Sequence, residues 1–269
     1  MGRQLLANLW VNLVFFRRNN MLLVMALLIA GVGALGFIPS LIFETSTVKF
    51  SLIQSIFGSL DGTATVVAAV LGMLAVSHHL RSRCLKMVIT KPCTPDAWLL
   101  SVFLSGIAVT GAIYLVIFLA VGALFLVWGV PFQWGLPFLA VAGFLEAVVV
   151  FAYLSMLTVL LHPVLAVLVA LFFQDATFRQ LITIAQAGTT SASGGYKTFL
   201  EALDKALSVV YLILPSFGLF GNRMRDVHES YRVSGTALQY LSLTFAYAAL
   251  LAALFYLVGA WALRRKRLI

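Results

Sequence analysis

Apolar residues fall along this chain in long blocks rather than at isolated positions. The blocks are Met21–Phe43, Leu52–Val76, Ala97–Trp128, Phe138–Leu161, a fifth that starts at Val164 and loses its character at Gln174-Asp175, and Leu238–Leu263. A helix of about 20 apolar residues crosses a bilayer core of roughly 30 Å, so each block predicts a transmembrane span. In hydrocarbon every backbone polar group needs an internal partner, which favours a helical bundle over an open sheet. A β-barrel requires alternating polarity over runs of about ten residues, and Met21–Phe43 has no such alternation.

The segments between blocks carry their own pattern. In residues 3 to 18, Leu6, Leu9, Trp10, Leu13 and Phe16 share one helical face, and Gln4, Asn8, Asn12 and Asn19 share another. This predicts an amphipathic helix lying in the membrane interface, with continuation of the first span as the alternative. A cleaved signal peptide does not fit, because the run after Arg18 is too long and more spans follow. A polar turn is expected at Glu44–Ser51. Gly31, Gly33 and Gly36 in the first block, and Gly58 with Gly62 in the second, are small residues that allow close helix contact.

Val76–Ser105 has the most individual sequence. His78–Lys91 predicts a helix that Pro92 and Pro95 interrupt, and Asp96 is placed to cap the third span. Gly129–Pro137 reads as a turn, with Trp128 and Trp134 suited to the interfacial aromatic belt. His162-Pro163 reads as a minimal turn, with His162 capping it. In 176–236, Gly188–Gly195 has linker composition. Lys197–Leu214 is amphipathic: Phe199, Leu203, Leu207, Val210 and Leu214 lie on one face, and Lys197, Glu201 and Lys205 form i,i+4 pairs on the other. It predicts an interfacial or re-entrant helix. A charged loop, Asn222–Arg232, precedes the last span.

Composition agrees. Of 269 residues, 62% are hydrophobic and 10% charged, against about a quarter charged in soluble domains. The net charge of +9 does not imply nucleic acid, because its distribution is topological. Eleven of the eighteen Lys and Arg lie before Met21, between Val76 and Ala97, or after Leu263. Short positive segments stay in the cytoplasm, so both termini and 77–96 are expected there and 176–236 outside. Two cysteines, Cys84 and Cys93, imply no disulfide framework. The expectation is an all-α membrane protein: a single domain of six transmembrane helices, an interfacial helix at 1–20, and a re-entrant or interfacial helix before the last span.

Candidate chemistry is sparse. Gly194-Gly-Tyr-Lys-Thr198 lacks the phosphate-loop spacing. Adjacent His78 and His79 point about 100° apart and share a metal poorly, even with Cys84 near. There is no HExxH or Ser-His-Asp pattern, so no catalytic, cofactor or metal site is expected. Three acids fall in apolar blocks: Asp61, Glu146 and Asp175. Buried charges cost a few kcal/mol unless they face a partner or a wet cavity. They are therefore candidates to line a pathway. The alternatives are structural pairing, for instance Asp175 with Arg179 one turn away, and burial that simply keeps Asp61 or Glu146 protonated.

Taken together, the amphipathic start, Leu85-Lys-Met-Val-Ile-Thr-Lys-Pro92, Leu99-Leu100, the Leu-Pro-Ser-Phe-Gly-Leu-Phe run ending at Phe220 and the basic end at Arg264–Leu268 resemble ABC-2 type transporter permeases. The resemblance is to the branch with gliding-motility and nitrous-oxide-reductase-maturation permeases. The family's acid and Gly-Thr are replaced around His79-Leu80 and by Arg83-Cys84, and its lysine by Val102. The resemblance implies a permease subunit in a prokaryotic inner membrane, not itself an enzyme, working as a homodimer to export or translocate a substrate. A separate cytoplasmic ATPase would hold the ATP and Mg. It would grip Arg81, Arg83, Leu85, Lys86, Met87, Lys91 and Pro92. A second implication is an ATPase-coupled anchor that transmits force to, or docks, an extracytoplasmic partner protein.

Overall fold

The computed structural model describes residues 2–18, 31, 46–81, 94–172, 175–191, 194–213, 217, 220 and 237–266. Among them it is all-helical: α1 Gly2–Arg18, α2 Ser46–Arg81, α3 Pro95–Val127, α4 Gly135–Leu160, α5 Pro163–Phe172, α6 Asp175–Ser191, α7 Gly195–Ile213 and α8 Ala237–Lys266. Four are long and apolar enough to cross a membrane: Val48–His78 in α2, Asp96–Val127 in α3, Gly135–Leu160 in α4 and Leu238–Arg265 in α8. The expected second, third, fourth and sixth spans are therefore present as membrane-length helices. The expected first span, Met21–Phe43, lies outside the described residues, as does the loop Asn222–Arg232.

Helix α4 is the centre. It packs against α2, α3, α5 and α8, and most of its residues are buried. An all-round apolar sequence is what a helix enclosed by other helices needs. The closest approach is between α2 and α4. A Cβ on Gly72 would lie 2.6 Å from the Phe151 carbonyl oxygen. Ser155 Oγ donates to the Gly72 carbonyl at 3.3 Å. From α3, Gly106 faces the Phe151 ring with no room for a side chain, and Phe103 meets that ring edge-on at 6.1 Å. Small residues thus let three helices close around one phenylalanine.

The contacts also give direction. Asp61 of α2 lies level with Tyr114 of α3 and Gly143 of α4. Further along α2, Gly72 lies level with Phe151. Helices α2 and α4 therefore run parallel, and α3 runs against them. Tyr153 meets Phe255 and Gly259 approaches Met156, so α8 runs with α4. The ends of α2 and α8 and the start of α3 consequently share one side. Phe15 of α1 stacks on His78 at 4.6 Å on that side.

Several expectations are corrected. The polar turn at Glu44–Ser51 gives way, from Ser46, to the first turns of α2. The cap of α3 is Thr94, whose side chain accepts from the Ala97 N–H at 3.3 Å, not Asp96. Asp96, in the first turn, is bridged to Arg264 of α8. Arg264 Nε donates to Oδ1 at 3.0 Å, and Nη2 donates to Oδ2. Tyr256 Oη adds a bond to the Asp96 carbonyl at 3.2 Å. Trp128, expected to face an interfacial belt, is buried in the protein, and Gly129, at φ 66°, reverses the chain just after it. That reversal directs Val130 N–H to the Phe125 carbonyl and Gly129 N–H to the Leu126 carbonyl, the paired bonds of a Schellman end. Trp134, by contrast, is exposed.

Helix α1 does not present Asn12 to water. Asn12 and Phe16 are buried, and Asn12 Nδ2 donates to Ser101 Oγ of α3 at 3.1 Å. The fifth block forms only the ten residues of α5, about 15 Å long, before α6 begins at Asp175. The expected linker at Gly188–Gly195 is shorter than its composition suggests, since Gly188–Ser191 is the last turn of α6. Helices α6 and α7 form an antiparallel pair, in which Gly188 receives Leu200 and Gln186 Nε2 donates to Asp204 Oδ1 at 3.2 Å. The amphipathic helix expected at Lys197–Leu214 is α7, with Phe199 and Val210 on its exposed apolar side.

Candidate functional site: an intramembrane carboxylate pair

Asp61 projects from α2 near the level where α3 and α4 both touch it. Tyr114 Oη of α3 donates to Asp61 Oδ1 at 2.7 Å. Tyr114 is itself buried, and its ring meets Phe144 edge-on at 6.2 Å. On α4 the facing residue is Gly143. A Cβ there would collide with Asp61 Oδ1 and come within 2.9 Å of the Tyr114 ring. The missing side chain of Gly143 is therefore the space in which the carboxylate and the phenol meet. Thr65, one turn on from Asp61, donates its hydroxyl to the Asp61 carbonyl at 3.1 Å.

Glu146 lies on the next turn of α4, half-buried, three residues on from the Gly143 that meets Asp61. Two of the three predicted pathway acids are thus brought together. The third is not: Asp175 starts α6, a helix that packs against α7, and its side chain and that of Arg179 lie outside the described residues. Asp61 lies about 20 Å from Val48 and about 25 Å from His78 along α2, well inside the span on either count.

An ionisable group at such depth is held by a partner or a wet cavity. Here Tyr114 is a partner, so pairing explains part of the burial of Asp61. Glu146 beside it adds a second acid, which pairing alone does not call for. The arrangement offers two carboxyl groups that can accept hydrogen bonds from a polar ligand. Tyr114 and Gly143 were not singled out from sequence. The available signal was a tyrosine midway along an otherwise apolar span, at the depth of Asp61.

Of the predicted ATPase contacts, Arg81 is the last residue of α2, with its side chain outside the described residues. Arg83, Leu85, Lys86, Met87, Lys91 and Pro92 lie outside them altogether. His162 is exposed, and its carbonyl accepts from the Ala166 N–H at the start of α5.

Compared with models of known families, with curated proteins and with solved structures, the chain matches none.

Proposed function

We propose that the chain is the membrane-spanning permease subunit of an ATP-binding cassette transporter of the ABC-2 type. Two copies form the pathway, and a separate cytoplasmic ATPase supplies ATP hydrolysis. The observation that carries this reading is the convergence of helix ends. The end of α2, the start of α3 and the end of α8 lie on one side, with α1 docked beside them. That side frames residues 82–93 and carries Arg17, Arg264 and Arg265. A basic segment anchored at both ends by long helices is suited to receive a rigid-body push from a partner.

Helix direction supports the six-span count. Since α4 and α8 run the same way, the chain crosses an odd number of times between them. The position of α1 at the His78 end of α2 agrees with the expected first span at Met21–Phe43, which lies outside the described residues. One crossing at Met21–Phe43 and one between α4 and α8, where α5 alone is too short to span, would bring the four membrane-length helices to the proposed six. The positive charge at both ends supports a reading with both termini in the cytoplasm, and the resemblance implies a prokaryotic inner membrane. The carboxylate pair of Asp61 and Glu146 is the part of the pathway that handles a polar group of the substrate.

A second reading is an ATPase-coupled anchor that docks an extracytoplasmic protein. It is favoured by the α6–α7 pair, which leaves Ile184, Phe199 and Val209 exposed.

The test is to purify the tagged protein from detergent and measure ATPase activity, with Arg81, Arg83 and Lys86 intact or reversed to Glu. An ATPase that co-purifies and is lost on reversal supports the coupling. A protein that purifies alone, unchanged by the reversal, refutes it. Substrate-stimulated ATPase activity supports transport. Stoichiometric capture of an outer-face protein by 176–236, without such stimulation, supports the anchor.

A further inference from the structure

Between α1 and α3 runs an open groove with a volume of about 270 Å³. One wall is Trp10, Leu13, Val14 and Arg17 of α1, spaced i, i+3, i+4, i+7. The other is Ala108, Val109 and Ala112 of α3. The lining is apolar except at Arg17, which is exposed at the end of its helix and followed by Arg18. Trp10 is 67% exposed, although the opposite face of α1 is buried through Asn12 and Phe16.

The depth of the groove is fixed by α3. Ser101, which Asn12 contacts, is about 9 Å along α3 from Pro95, and Ala112 is about 26 Å along it. Helix α3, about 50 Å long, exceeds a hydrocarbon core of roughly 30 Å. Helix α1 therefore lies near the boundary of headgroups and acyl chains, and Ala108–Ala112 lies in the acyl region. The small side chains of Ala108 and Ala112 leave a channel where larger ones would close α3 against α1.

We infer that this groove binds an anionic glycerophospholipid, with an acyl chain along Ala108–Ala112 and the phosphate at Arg17. The charge selects the occupant. A guanidinium at the boundary, above an apolar channel of membrane depth, complements a headgroup phosphate attached to a hydrocarbon chain. A second copy of the chain would have to place an acid at Arg17 and an apolar ridge below it. Bound lipid would pin α1 to α3, and so to the side of the bundle where 82–93 begins and ends. The inference holds with or without an ATPase partner.

The test uses the full-length protein reconstituted in phosphatidylcholine vesicles containing either phosphatidylglycerol or further phosphatidylcholine, brominated on the acyl chain, at equal mole fraction. The readout is quenching of Trp10, taken as the difference between wild type and Trp10→Phe. Enrichment of the anionic lipid by roughly fivefold is expected from one basic side chain near the surface. In Arg17→Gln the two lipids should quench equally, and Ala112→Phe, which fills the groove, should reduce quenching by both. Both residues are exposed, and unchanged helical circular dichroism checks the fold. Equal quenching by the two lipids in wild type overturns the inference, as does a preference that survives Arg17→Gln. Trp10 shielded from both lipids in a dimeric fraction also overturns it, in favour of a second copy over the groove.

Discussion

Replacing Gly72 with Ala tests how the bundle is held together. The new Cβ would sit 2.6 Å from the Phe151 carbonyl oxygen, where ordinary contact begins at 3.4 Å. Helices α2 and α4 must separate by about 0.8 Å, enough to forfeit a quarter to a half of the dispersion energy of the atoms along that line. The opposing atom is backbone, so no rotamer change relieves it. Overpacking of this kind costs about 1–3 kcal/mol, and the Ser155–Gly72 hydrogen bond, stretched as the helices part, contributes about 0.6 kcal/mol in a bundle. The expected loss is about 2–3 kcal/mol, read by reversible unfolding in mixed micelles followed by circular dichroism. Gly58 and Gly62, the more conspicuous small pair in the sequence, have nothing within 4 Å of an added Cβ. Alanine at either should be neutral or stabilising by up to ~1 kcal/mol. Gly106→Ala is a different case, since its obstacle is the Phe151 ring, and Phe151→Leu should partly rescue it while failing to rescue Gly72→Ala. A Gly72→Ala protein as stable as Gly62→Ala would refute the backbone contact between α2 and α4.

Other outcomes follow from the remaining contacts. Tyr114→Phe removes the donor to Asp61 and should cost about 1–2 kcal/mol in the same unfolding assay, with Asp61→Asn restoring less than half of it. Asn12→Ala should loosen α1 from α3, raising the labelling rate of a cysteine placed at Phe16 by severalfold while the unfolding midpoint of the bundle barely moves. Glu146→Gln should lower transport-coupled ATPase activity at least tenfold if the carboxylate pair lines the pathway, and unchanged activity would remove it from that role. Arg264→Gln should produce a small destabilisation that disappears at high salt, because the ion pair with Asp96 is exposed and screened.

The long helices were legible because a membrane imposes length and apolarity, and neither needs a partner to be visible. Their ends were less so. Ser46–Ser51 reads as a turn by polarity, yet α2 simply continues beyond the hydrocarbon, where a helix no longer has to be apolar. Helix α6 has no sequence signal of its own, since the fifth block loses its apolar character at Gln174-Asp175 and Gly188-Thr-Thr-Ser191 has loop composition. It is helical nonetheless, with Phe178 and Ala185 buried and Gly188 receiving Leu200 of α7. Asp61 and Glu146 stood out from sequence as charges in apolar runs, and their shared depth could be counted. Their company could not, because Tyr114 and Gly143 are ordinary residues of membrane helices. Only the crossing of three helices gives them a role. The facing of α1 is hidden for a similar reason: an asparagine on a surface helix looks like a solvated position until a serine on a neighbouring helix is placed opposite it.

The Asp96–Arg264 bridge ties together residues 168 positions apart in the chain. The carboxylate belongs to the first turn of α3, two residues beyond the cap that follows 82–93, and the guanidinium to the last turns of α8. With Tyr256 holding the backbone of the same residue, the foot of α3 and the tail of α8 form one joint. A displacement entering at Thr94 would therefore reach the last helix directly, without passing through the residues between them in sequence. The joint is polar, exposed and salt-sensitive, so it behaves as a releasable catch rather than a weld. The stiffness of that side of the molecule can then change with ionic conditions while the apolar seam around Phe151 stays shut.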